Sequence, residues 1–460
     1  MKNRFSFRNI LQIYLPSQIA TALFVAISTA ACAQTTLTLQ QAINNAFTNG
    51  KNIKSGKTDV MIRQLQTEAL YRKYWPHVGV AYSYQYNPIL QTSILPIGIF
   101  NSQYPSDATK SVQFGTKWSQ TAGVTVNQPI MDFSINRQIN ESKLQQRLAA
   151  SSESQTEYEL AYAVAQAYID INLQEARIRS AAADTGRTWN SYQLLINRYE
   201  QKRLLKSELN KGRINHNNAV QQYSNAVSQL IEEKVYLLYL IGSNDVDNPD
   251  FAVDSTFVNN KIMESANAQP LVANIPELQQ LQLKGEMATK QIKTEKASYL
   301  PTVSMRGYLG ANQYTARFDP MVPNSWYGLS YVGVDLKYPI LFGEHKQKKI
   351  QQLQLQSTQY EEQKEERTTE YYKDAIIARI KMERIKAELM TMEENIALSR
   401  ESIGIYQARV AEGQESANTL NSEEADLQKL DADMQTGKKQ YWSHLLDFLK
   451  ATGRIEMLWK

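Results

Sequence analysis

The chain of 460 residues contains one cysteine, Cys32, and four histidines. A single thiol cannot form an internal disulfide. His77, His216, His345 and His444 are far apart in sequence, and no Cys/His spacing suggests a metal site. No serine nucleophile elbow occurs. The segment Gly50-Lys51-Asn52-Ile53-Lys54-Ser55-Gly56-Lys57-Thr58 imitates a phosphate-binding loop. However, it has five residues between its glycines where that loop needs four, and a helix rather than a strand precedes it. No cofactor, metal or enzymatic activity is expected. The formal charge of +4 falls to about +1 once the N-terminal segment is removed, so nothing points to a nucleic-acid partner. After that segment no run approaches 18 apolar residues, which excludes a spanning helix. Proline is absent from about 132 to 201, and glycine occurs there once, as Gly186.

What is present begins with residues 1–33, which read as a secretory signal. Lys2, Arg4 and Arg8 are followed by an apolar run around Ile19 to Ala31 and the small-x-small site Ala31-Cys32-Ala33. The alternatives are a membrane anchor, for which the run is short, and lipidation at Cys32, for which Thr29-Ala30-Ala31 lacks the usual leucine. Hydrophobic content is 42% and mean hydropathy −0.47. Such a chain buries narrow stripes more readily than a large compact core.

Ser325 to Lys348 organises the rest. Val332, Val334 and Leu336 alternate with Gly333, Asp335 and Lys337. A period of two places one face against something apolar and the other against water. The echo at Lys117 to Gln138 sets Ala122, Val124 and Val126 against Thr121, Gly123, Thr125 and Asn127. Each strand closes at a proline, Pro129 or Pro339, and a long polar helix follows. His77 to Tyr86 alternates as well, and Tyr299-Leu300-Pro301 before a fourth strand repeats Tyr74-Trp75-Pro76. Asn87 to Thr116 and 243–275 read as loops.

The whole unit is duplicated, at an offset of 225 for its first strand and 210–211 beyond it, because the first inter-strand loop is longer by 15 residues. Tyr338-Pro339 answers Gln128-Pro129, Gly413 answers Lys202, and Thr452-Gly453 answers Ile241-Gly242. Four units follow: the signal (1–33), a first repeat (34–242), a linker (243–275) and a second repeat (276–460). The first repeat has strands near 76–86 and 117–127 and a helical hairpin near 132–241. The second has strands near 301–310 and 326–337 and a hairpin near 342–450. Tyr158, Tyr162, Ala165 and Ile169, and later Ile385, Leu389, Met392 and Ile396, draw narrow seams along helices about 100 Å long. The charged run at 361–370 reads as a solvated helix face.

Four strands of about ten residues, with aromatics at Tyr82, Tyr84, Tyr86, Trp118, Trp326 and Tyr327, fit a sheet crossing an outer membrane. They are too few to close a barrel, and open edges are not tolerated in lipid. Several copies are therefore required. The other reading is a secreted or periplasmic coiled-coil scaffold or adhesin without a barrel.

The order and spacing of several segments resemble the TolC-type outer-membrane factors. They are Leu37-Thr38-Leu39-Gln40-Gln41-Ala42, Tyr299-Leu300-Pro301, Gln128-Pro129-Ile130, Tyr338-Pro339-Ile340, Gly413, Leu445-Leu446-Asp447-Phe448 and Ala451-Thr452-Gly453. The resemblance implies a mixed α/β membrane protein. Its homotrimer forms a 12-stranded β-barrel in outer-membrane lipid, continued by an α-helical periplasmic tunnel. It also implies a periplasmic adaptor and an inner-membrane pump as partners in efflux or type I secretion, in a Gram-negative bacterium. Drugs, metal ions and proteins all leave through this architecture. Strand parity makes Arg306, Asp335 and Lys337 the lumen candidates. Lys202, Arg203, Gly413 and Gln414 are the adaptor-docking tip candidates. Family members carry constriction aspartates where this chain has Thr419 and Ser422, and Glu423, Glu424 and Asp426 lie beside them. The narrow seams lead to the expectation that the tips are closed at rest, held by polar contacts around 410–430.

Overall fold

The computed structural model describes residues 36–97, 105, 107–244, 247, 249–254, 272–319, 326–340 and 344–459. The signal segment, its cleavage site and Cys32 lie outside the described residues.

The first repeat opens with strand β1 (Thr36–Leu37) and helix α1 (Leu39–Asn49). Thr38 caps α1: its hydroxyl accepts from the Gln41 N–H while the Gln41 side chain takes the Thr38 N–H. Helix α2 (Lys51–Arg72) leads into β2 (His77–Tyr86). A small hairpin of β3 (Gln91–Pro96) and β4 (Thr109–Phe114) follows, where a composition rich in Pro, Ser, Asn and Gly suggests a plain loop. Its mixed side chains bury almost nothing, so it gives no clean period of two to read. Strand β5 (Trp118–Met131) then runs into α3 (Phe133–Glu200), which Asp132 caps through the Ser134 N–H at 2.8 Å. Pro129 does not end β5 as expected. Beyond Asn127 the strand has lost β2 as a partner on one side, so the missing N–H is tolerated, and a register shift between Pro129 and Met131 absorbs the ring. Helix α4 (Lys206–Leu240) completes the hairpin.

The connection at 243–275 is not wholly loop. Strand β6 (Ala252–Val253) pairs in parallel with β1. The buried Tyr168 hydroxyl sits 2.8 Å from the Leu37 carbonyl and 3.0 Å from that of Asp254, and accepts from the Asp254 N–H. Burial pushes this phenol up to about 12, so it stays protonated. The second repeat is α5 (Pro276–Ala297), β7 (Thr302–Thr315), β8 (Trp326–Lys337), α6 (Glu344–Glu412) and α7 (Ala417–Ala451).

Strands β2-β5-β7-β8 form one antiparallel sheet with β2 and β8 as free edges. Beneath it the helices pack side by side in the order α2–α3–α5–α6, with α2 and α6 outermost. Farther from the sheet α3 and α6 continue, and the neighbours become α4–α3–α7–α6. Where the two rows meet lies the largest core, built from Leu39, Ile43, Tyr168, Ile171, Leu237, Leu445 and Leu449 among others. Tyr158 and Tyr162 brace it by donating to the Lys450 carbonyl at 2.5 Å and to Asp447 at 2.6 Å.

Candidate functional site: sheet faces and helix tips

Period-two alternation sorts the sheet cleanly. The ladder aligns Val80 with Val124, Val124 with Leu309, and Met305 with Val334. One face therefore carries Val78, Val80, Tyr82, Val124, Leu309, Val332, Val334 and Leu336. All are exposed, Val80 at 86% and Val332 at 80%. A broad apolar surface of this kind is not left to water. At the end bearing the β2–β5 connection, Tyr84, Tyr86, Trp118 and Phe318 pack with ring centroids 4.3–5.4 Å apart. Aromatics at the rim of an apolar band suit a lipid headgroup boundary. Beside them Gln120 and Gln313 are buried and joined at 2.6 Å.

The other face is polar or small toward the helices, where Arg306, Asp335 and Lys337 lie, and carries Tyr308, Tyr331, Leu329, Tyr327 and Tyr314 toward the far end. Arg306 pairs with Asp335 at 3.2 Å and lies 5.8 Å from the Tyr331 ring centroid, while Lys337 is exposed at the helix end of β8. Tyr308 lies on this face beside Tyr331. Its ring stacks on Tyr331 at 5.6 Å, lies flat across Gly123 and Gly310, and donates from its hydroxyl to the Ala122 carbonyl at 3.3 Å. A Cβ at Gly123 would sit 2.7 Å from that ring. The two glycines are the recess that keeps the tyrosine down.

The two hairpin tips are built alike. Gly413 turns with φ +84° and Lys202 with φ +58°, the one described non-glycine residue at positive φ. In both, the residue after the turn donates back to the helix: Arg203 to the Arg198 carbonyl, Gln414 to that of Arg409, each at 2.9 Å. Lys202, Arg203, Gly413 and Gln414 are all exposed. The tips are stitched to each other. The Arg198 guanidinium donates to the Val410 carbonyl, and Lys211 donates to Asn418 at 3.2 Å. Asn215 donates to the Asn421 carbonyl at 2.8 Å, and Asn421 to the Glu208 carbonyl at 3.3 Å.

The constriction candidates do not form one cluster. Ser422 and Asp426 are exposed, Glu423 is half-buried, and Thr419 donates to Glu415 at 3.2 Å. Glu424 is buried between helices, where it pairs with Arg187 of α3 and accepts from Ser191 at 2.7 Å; Gln407 of α6 donates to Ser191 at 3.0 Å. Arg187 also holds Asp184, and Arg400 holds Asp431 at 3.3 Å. Burial, then the nearby Asp184 charge, raises the Asp431 carboxyl above its ordinary range against the pull of Arg400 and Arg187. The expectation that little apolar area fixes the tips is corrected as well. Leu195, Ile403, Val410, Leu420 and Leu427 form a separate core there. The sequence seam reaches only its edge, at Leu389, Met392 and Ile396; the same heptad continues as Ile403 and Val410 on α6 and recurs as Leu420, Leu427 and Met434 on α7.

An open sheet that is apolar on one face, set on two unbroken helices of 68 and 69 residues, is a distinctive combination. The fold is that of the TolC-type outer-membrane factors. Residues 268–454, nearly the whole second repeat, match the outer membrane efflux protein family. The channel protein CusC superposes with a TM-score of 0.71 over 91% of this chain and 92% of its own, at 13% identity. The outer membrane protein VceC from Vibrio cholerae does so with 0.68 over 90% and 96%, at 13% identity. The Campylobacter jejuni CmeC outer membrane channel gives 0.67 over 90% and 85%, at 13% identity. No curated protein matches the chain in sequence. In this TolC-type fold the single chain supplies four strands and leaves the barrel unclosed.

Proposed function

We propose that three copies close into a passive outer-membrane channel, the exit duct of a tripartite efflux or type I secretion system. The exposed apolar face of the four-stranded sheet carries this reading. It needs lipid on that side, and its free edges, β2 and β8, need partners. These edges run antiparallel to each other, so β8 of one copy continues into β2 of the next without reversing the pattern. The outermost helices, α2 and α4 on one side and α6 on the other, close the tunnel in the same sense. Arg306, Asp335 and Lys337 then face the lumen, and the tips at Lys202–Arg203 and Gly413–Gln414 face the periplasm, where an adaptor and an inner-membrane pump dock. Glu424, tied to Arg187 and Ser191, latches one hairpin to the other near that end. The channel itself performs no chemistry; direction and energy come from the pump.

The test is reconstitution. Outer-membrane extraction should require detergent, cross-linking in mild detergent should give a three-chain species, and planar bilayers should show discrete conductance. A detergent-stable monomer that retains its full β content would overturn the reading. Registration of the wall has its own check. A cysteine at Asp335 should be labelled by a water-soluble thiol reagent and one at Val334 labelled poorly; the reverse would exchange the two faces.

A further inference from the structure

Two stretches remain without a role. One is the lysine-rich start of α2, Lys51, Lys54 and Lys57. The other is the acidic run of α6 that contains Glu362, Glu365 and Glu366. All six side chains are exposed. None belongs to an ion pair within the chain among the described residues, although Lys57 also lies near Glu157.

Contacts across the helix row show that these stretches share a level. Gly56 of α2 lies against Glu153 of α3, 3.5 Å from where its Cβ would be. Two residues away, Ser151 donates to the Pro276 carbonyl at 3.3 Å, and Gln280 of α5 donates to the Ser151 carbonyl at 3.3 Å. Next to Pro276, Glu277 accepts from Tyr371 at 2.6 Å and pairs with Arg367 of α6 at 2.9 Å. Residues 56, 153, 277 and 367–371 therefore stand side by side. Copies related by rotation about a channel axis share their levels. Once the row closes, the start of α2 meets the neighbouring α6 within about a turn of residues 362–370. The facing edges also carry exposed apolar side chains on the sheet side of the charges: Met61, Ile62 and Leu65 on α2, and Leu355 on α6.

We propose that Lys51, Lys54 and Lys57 of one copy clasp Glu362, Glu365 and Glu366 of the next, so that the partner of both stretches is a second copy of this chain. The clasp rests on the closed-ring reading and fixes the register in which the ring closes. Opposite charges at one level favour that register, and a slide of two turns along the seam would leave the lysines without these partners. Single exposed pairs contribute little, but three pairs per seam recur at every seam of the ring.

The experiment uses the full-length protein in mild detergent at low salt, with the trimer fraction read by cross-linking. Reversing the lysines (K51E/K54E/K57E) should lower that fraction by about tenfold, and reversing the glutamates (E362K/E365K/E366K) by a similar factor. Combining all six should restore it to within about twofold of wild type. At about 1 M salt, where the screening length is ~3 Å, the differences should shrink. If a reversed chain fails to accumulate, Lys54→Cys combined with Glu366→Cys gives an independent readout: a short bismaleimide should join neighbouring copies, and neither single cysteine should do so. A trimer indifferent to both reversals, or no cross-link from the cysteine pair, overturns the clasp alone. A wild-type chain that never forms oligomers overturns the closed ring and the clasp with it.

Discussion

Lys202 holds a backbone conformation that costs an L-residue roughly 1–2 kcal/mol, and its counterpart in the second repeat is glycine. Lys202→Gly should therefore raise the thermal unfolding midpoint of the detergent-solubilised protein, and Gly413→Ala should lower it, both read by circular dichroism. At Gly123 the strain is steric. Gly123→Ala pushes the Tyr308 ring off the sheet, and single-channel conductance should fall; Tyr308→Ala on the same background should restore it. An unchanged conductance in Gly123→Ala would mean that the ring has room elsewhere. Neither role was legible in the sequence. Duplication identified Lys202 as the position where glycine stands in the second copy, but only φ shows that the turn is the same. The alternation assigned Arg306 and Asp335 to one face, yet the recess under Tyr308 depends on glycines from two different strands.

At the scale of elements, the two helices of the α3–α4 hairpin approach closely where Gly212 of α4 faces Leu195 of α3, beside Asn421 of α7. A Cβ on Gly212 would come 2.5 Å from Leu195, so Gly212→Ala should destabilise this bundle by about 1–3 kcal/mol. Glu424→Gln should loosen the grip of Arg187 and raise conductance, whereas Asp426→Ala, on an exposed carboxylate, should leave it unchanged. A carboxyl whose folded-state pKa is raised adds stability below the ordinary carboxylate range and loses it as pH climbs through the raised value. Mild acid should therefore tighten the tips through Asp431. Asp431→Asn should flatten the pH dependence of conductance, and an unchanged pH profile in that variant would remove Asp431 from the gate. The long helices and the main strands could be read from the sequence because each follows one period over many residues. The β3–β4 hairpin, the β1–β6 pair and the Glu424 contacts could not, since each depends on partners distant in sequence and on no repeating pattern. Glu424 and Asp426 are two residues apart in similar local sequence. Which of them is buried is decided by the helix opposite.

At the scale of the whole molecule, the chain passes through the junction between the two helix rows differently on different strands of the bundle. Helices α3 and α6 run through it unbroken, without a proline. The other two lines are spliced there. Gly242, just past the end of α4, abuts Asn49 and Gly50 where α2 begins, close enough that a Cβ would meet the Asn49 backbone at 2.7 Å. Helix α7 likewise ends at this height, with its turn at Gly453. A bundle of two continuous rods and two butt-jointed ones behaves mechanically like a torsion bar. The joints admit rotation about the long axis, while the unbroken members resist hinging. Force applied at the tips should then reach the sheet, about 100 Å away, as twist rather than as bend.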